Sequence, residues 1–175
     1  MSLERKLRFA ARPDEVFLVA RAAVLLAAVP PLLKYLKIEK IVRALTPHRP
    51  RENARAIPRD RVTYLCHRTL GFAARLSYRP NCLRRTLVHY HCLRLHGAPA
   101  VIHFGVKRDG GVLAGHCWLT LDGSLYDERP DMGSQFTQMF ALPGPAERSP
   151  REAGPITKKS SGERPPDVRH LSFGG

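Results

Sequence analysis

The sequence predicts an α+β domain in which N-terminal helices sit beside a cysteine-bearing helix packed on a small antiparallel sheet. Three observations point there. Apolar residues recur at helical spacing through most of the first 80 positions, and residues 81–96 read as one more helix with a cap and a stop. Residues 101–126 then carry short β-rich runs separated by Gly-Gly and Asp-Gly turn signals. At 175 residues the chain is long enough to bury one core without metals or disulfides.

Taken in order, residues 3–12 are basic with scattered apolar positions, and Pro13-Asp14-Glu15 reads as a helix start with acids in the first turn. From Val16 to Leu36 the chain is strongly apolar, interrupted by Arg21, Pro30-Pro31 and Lys34. The charge-free run 22–33 is too short to span a bilayer, and the proline pair is expected to break it. A helix buried against the sheet layer is the favoured reading, with no transmembrane span; peripheral membrane contact stays compatible with it. Leu36–Leu45 reads as an amphipathic helix, Thr46–Pro58 as a proline-rich connector, and Asp60–Ser77 as a helix that places Cys66 among core residues. The expected organisation is an N-terminal helical region over 1–60, a core over 61–142 and a tail over 143–175. The tail's Pro, Gly, Ser and charge predict disorder.

The net charge of +14 is uneven. Residues 1–80 hold 17 Lys and Arg against 6 Asp and Glu, while residues 81–131 hold 6 against 5. The basic field therefore belongs to the N-terminal part, and charge alone does not choose among nucleic acid, anionic lipid and an acidic protein. Alternating sign in the tail argues against a basic nucleic-acid arm, so no nucleic-acid partner is expected. The four cysteines, Cys66, Cys82, Cys92 and Cys117, lack the spacing of a disulfide framework, and no signal peptide precedes them; reduced thiols in a cytoplasmic protein are the expectation.

The chemistry concentrates between Pro80 and Asp131. Pro80-Asn81 supplies a turn and a cap, so Cys82 falls in a first helical turn, where the helix dipole lowers a thiol's pKa. Gly97 ends that helix. VIHFGVK and VLAGHCWLTL follow as strands, and the Asp122-Gly123 turn sets Leu121 opposite Ser124. Extended along the strand, that register puts Trp118 opposite Asp127, with His116, Trp118 and Asp127 on one face and Glu128 on the other. A thiol at a helix start, a His on one strand and an Asp on the next are the parts of a thiolate nucleophile, its base and the group that orients the base. His103 shares the face of His116 and is a rival base by parity alone. His89, His91 and His96 read as structural or surface residues, and His89 lies roughly 10 Å along the helix from Cys82.

This stretch resembles the leader peptidases of lasso-peptide biosynthesis, whose peptidase domain is transglutaminase-like and distantly papain-like. The matching residues are Cys82-Leu83-Arg84-Arg85 with Leu87, then Gly97-Ala98-Pro99-Ala100, Gly105-Val106, and Gly115-His116-Cys117-Trp118 before the Asp-Gly turn. The resemblance is close over 61–131, looser over the N-terminal helices and absent beyond about Pro143. It implies a cysteine peptidase with the triad Cys82, His116 and Asp127, and it selects His116 over His103. Gly115, Cys117 and Glu128 depart from the usual pattern. It also implies partners: a precursor peptide bound through its leader, a leader-recognition domain either fused or separate, and an ATP-dependent macrolactam cyclase acting in the same maturation. Residues 1–60 are apolar and basic, unlike that domain, so a separate leader-recognition protein is expected. No cofactor and no metal are implied.

Two other classes compete. A transglutaminase-like acyl transferase would resolve the same thioester with an amine. A zinc-binding or nucleic-acid-binding module is suggested by the Cys, His and basic content, but there is no C-x-x-C pair. His89-x-His91-Cys92 also diverges around a helix, and His116-Cys117 alternates across a strand.

Overall fold

The computed structural model describes residues 12–47, 57–76, 78, 80–109, 112–129, 131–144 and 172–173. The basic segment before residue 12, most of the connector, the Gly110-Gly111 turn and residues 145–171 lie outside that set. Helix α1, Pro13–Tyr35, opens on a proline with Asp14 and Glu15 in its first turn. Glu15 accepts from Arg61 Nε and Nη2 at 3.0 and 2.8 Å, and this bidentate pair holds its carboxyl below the usual range.

Contrary to the expected break, α1 runs unbroken through Pro30-Pro31. Pro30 has no N–H to give to the carbonyl four residues back, which is that of Leu26. Tyr78 Oη donates to that carbonyl instead, at 3.0 Å. A side chain from another part of the chain thus repairs the ladder, and the helix continues. At 23 residues it is long and apolar enough to cross a membrane, yet Leu18, Ala22, Leu26 and Val29 form a stripe buried against the domain. Its outer side leaves Val16, Phe17, Val24 and Tyr35 exposed.

Helix α2, Ile38–Leu45, buries Ile38, Ile41, Val42 and Leu45, the spacing of one helical face. Helix α3, Arg59–Arg75, contributes Val62, Leu65, Cys66, Thr69 and Leu70. Helix α4, Cys82–Leu95, is buried around most of its circumference and is the central element. Asn81 caps it by accepting from the Arg84 N–H at 3.1 Å.

The α+β class is as the sequence predicts. β1, Ala100–Asp109, pairs antiparallel with β2, Val112–Leu121, and β2 with β3, Ser124–Tyr126. Asp122 and Gly123 both have positive φ, 49° and 80°, which the tight turn requires and which an Asp-Gly pair tolerates. A one-turn helix α5, Met132–Gln135, leads into β4, Thr137–Leu142, which adds to the other edge of β1 and gives the order β3-β2-β1-β4. That fourth strand was not anticipated beside the three expected. Its anchor is the stack of Phe140 on Phe104, ring centroids 4.5 Å apart, next to a register shift at Phe104/Gly105. Within the tail, Ser172–Phe173 forms a short β5 parallel to Ala114–Gly115. One hydrophobic cluster runs from Leu18 through α2, α3 and α4 to Leu142, so the N-terminal helices share the core of the sheet domain.

Candidate active site

Cys82 is the first residue of α4 and is 7% exposed. It lies against the stretch of β2 that holds His116 and Cys117. Three contacts lower its thiol to about 5 against the opposing effect of burial: a hydrogen bond from the Cys117 thiol, one with the His116 imidazole, and one from the Cys117 backbone. A backbone group that stabilises a thiolate must be a donor, so the last of these is the Cys117 N–H. Burial keeps the Cys117 thiol protonated. Thr86 Oγ1 donates to the Cys117 carbonyl at 3.3 Å and lies 3.6 Å from Cys117 Sγ, so it is the alternative acceptor of the single thiol proton when Cys82 does not take it. Thr86 lies one turn after Cys82 on α4, so the same helix positions the nucleophile and the residue that polarises it.

His116 responds in the opposite sense. Its pKa is raised first by the hydrogen bond to Cys82, then by the charges of Cys82 and Glu128, and burial works against them. A lowered thiol facing a raised imidazole is a thiolate–imidazolium pair, which is how a cysteine is made nucleophilic. The His116 ring is held between Trp118, stacked at 6.2 Å between centroids, and Phe136 at 5.1 Å. Trp118 in turn fits only because residue 105 has no side chain. A Cβ there would stand 2.8 Å from the indole ring and 3.0 Å from the Thr137 carbonyl oxygen.

The acid nearest His116 is Glu128: its Oε1 lies 3.5 Å from His116 Nε2, and each side chain is 15% exposed. Nε2 makes no well-formed hydrogen bond in this arrangement, so the contact is an ion pair at long range. Asp127 is placed elsewhere. The register expected from the turn holds as far as Leu119 opposite Tyr126, and there β3 ends. Asp127 has φ 55°, the left-handed conformation, which abolishes strand alternation. Its carboxylate turns to His67 Nε2, 3.0 and 2.9 Å from its two oxygens, and Glu128, expected on the opposite face, turns to His116. The structure thus brings Cys82 and His116 together and does not bring Asp127 to them.

His103 does share the face of His116, opposite Trp118 in the ladder. Its ring stacks on the indole at 5.7 Å, and both nitrogens are engaged, Nδ1 with Gln138 Oε1 and Nε2 with Thr120 Oγ1, each at 2.8 Å. Trp118 stacks on both histidines, and the contacts that polarise Cys82 come from His116 and not from His103. Sequence reasoning missed Glu128 and the part played by Cys117. Cys117 was readable as facing away from His116; that direction is inward, toward α4, whose first residue is Cys82.

Residues 25–141 match the Transglutaminase-like superfamily, more than half of the chain, and the chain belongs to that superfamily. No curated protein and no solved structure matches it significantly.

Proposed function

We propose that this member of the transglutaminase-like superfamily is a cysteine peptidase that removes the leader from a lasso-peptide precursor in the cytoplasm, acting with a separate leader-recognition protein. The observation that carries the peptidase reading is the buried Cys82 thiol lowered to about 5 against a His116 imidazole raised by the same contact. The precursor assignment rests on the resemblance carried by Cys82-Leu83-Arg84-Arg85 and Gly115-His116-Cys117-Trp118.

In the reaction, Cys82 Sγ attacks the scissile carbonyl and the C–N bond breaks as His116 gives its proton to the leaving amine. The backbone N–H of Cys82, at the start of α4, is suited to hold the oxyanion. Neutral His116 then takes a proton from water as the water attacks the thioester; the C–S bond breaks, the leader acid leaves, and the Cys82 thiolate and His116 imidazolium are restored. Glu128 orients the imidazole and stabilises its charged form, the role the sequence reading gave to Asp127.

The basic N-terminal region is the proposed docking face for the recognition protein, which would raise the effective concentration of the leader at Cys82. The test is mass spectrometry of a precursor peptide encoded beside this gene, incubated with the chain alone and with the recognition protein. Release of leader and core peptide by hydrolysis, lost in Cys82→Ala, supports the reading. Leader transferred to an added amine in place of hydrolysis would make the protein an acyl transferase.

A further inference from the structure

A second set of titratable side chains meets next to the Cys82–His116 pair without sharing a residue with it. His67 comes from α3, His89 from α4 and Asp127 from the end of β3, and one ligand-capable atom of each lies within 4.8 Å of the others. The His67 Nε2 to Asp127 oxygen distances of 2.9 and 3.0 Å approach the roughly 3.3 Å that separates ligands in a tetrahedron around a zinc-class ion.

His89 is the independent observation. It is 4% exposed, and its Nε2 has no hydrogen-bond partner among the described residues. The rings that face it are those of His67, 5.1 Å away edge-on, and Tyr126 at 6.0 Å. A His67–Asp127 ion pair accounts for two of the three side chains and leaves the buried His89 nitrogen unsatisfied.

We propose that His67, His89 and Asp127 form a binding site for one divalent cation of the zinc class. Two imidazoles and one carboxylate suit zinc and its neighbours, whereas magnesium and calcium take oxygen ligands. The fourth position opens toward a shallow, water-sized cleft lined by His89, Asp127, Arg85, Thr86, Tyr126 and Glu128 among others. Three ligands from three elements would pin the end of β3 to α3 and α4. Glu128 follows Asp127 directly, so the ion acts on the active site by positioning the acid that faces His116. The sequence expectation of no metal rested on local spacing, and these ligands are 22 and 38 positions apart.

The experiment uses Cys82→Ala full-length protein, which removes the reactive thiolate as a competing ligand, with Zn²⁺ and Co²⁺ as probes. One equivalent of Zn²⁺ should bind and raise the unfolding temperature, and bound Co²⁺ should give tetrahedral visible bands without thiolate charge transfer. Adding His67→Ala or Asp127→Asn should weaken binding at least about tenfold and abolish the thermal shift. His67 is exposed, so its replacement leaves the core intact where His89→Ala endangers it. No stoichiometric zinc in folded Cys82→Ala, unchanged affinity in the His67→Ala background, or a thiolate spectrum would overturn the site. These readouts involve no proteolysis, so failure of the metal site and failure of the peptidase reading are told apart; only the link through Glu128 rests on that reading.

Discussion

Glu128 Oε1 stands 3.5 Å from His116 Nε2, while the neighbouring Asp127 bonds His67. Adjacent acids thus serve different histidines because the backbone turns left-handed between β3 and Glu128. The rate consequence follows. Glu128→Gln should lower kcat for leader cleavage by about 10²-fold or more. Asp127→Asn should cost less, and its loss should track metal content. Steady-state kinetics on folded variants decide it, and the reverse ranking would return the orienting role to Asp127.

The pH profile should be bell-shaped. The thiolate needs a pH above the Cys82 value of about 5, and the imidazolium is lost as pH rises through the raised value of His116. Glu128→Gln removes one cause of that elevation, so the alkaline limb should move to lower pH. Cys117→Ala removes a donor to the thiolate, and the acid limb should move upward. The rate of iodoacetamide labelling at Cys82 reports the second shift without any substrate.

Among the cysteines, Cys82→Ala should abolish cleavage, whereas Cys66→Ala and Cys92→Ala, both buried away from the pair, should keep it if folded. For the histidines, His116→Ala should be inactive and His103→Ala only impaired, since the effect of His103 passes through the Trp118 stack. An inactive, folded His103→Ala beside an active His116→Ala would exchange their roles.

Tyr78→Phe should destabilise the domain by about 1–3 kcal/mol in urea denaturation, because it leaves the Leu26 carbonyl beside Pro30 without its donor. An unchanged midpoint would mean that water satisfies that carbonyl equally well.

Gly105→Ala should cost about 1–3 kcal/mol by overpacking against Trp118 and should also slow catalysis, because the indole supports the His116 ring. Trp fluorescence together with activity gives both readings from one sample.

Much was legible in the chain because it depends on local rules. The apolar spacing of α2, the Asn81 cap that starts α4 at Cys82, and the Asp122-Gly123 turn that sets Leu121 opposite Ser124 are properties of a few neighbouring residues. Cys82 was legible for the same reason, since a cap fixes it; strand parity put His116 and His103 on one face, and the resemblance at Gly115-His116-Cys117-Trp118 singled out His116. Strand β4 was not, since TQMFAL carries little alternation and gains its place from Phe140 stacking on Phe104, 36 positions earlier.

What the tertiary structure alone decided lies where a local rule stops applying. The helix survives Pro30 because Tyr78, 52 residues from Leu26, supplies the missing donor. The acid at His116 changes from Asp127 to Glu128 because parity holds only while φ stays extended, and at Asp127 it does not. His67 and His89 meet only because α3 and α4 pack side by side with the end of β3 beside them. Each outcome depends on a contact between residues distant in the chain, and periodicity along the chain carries no record of such a contact.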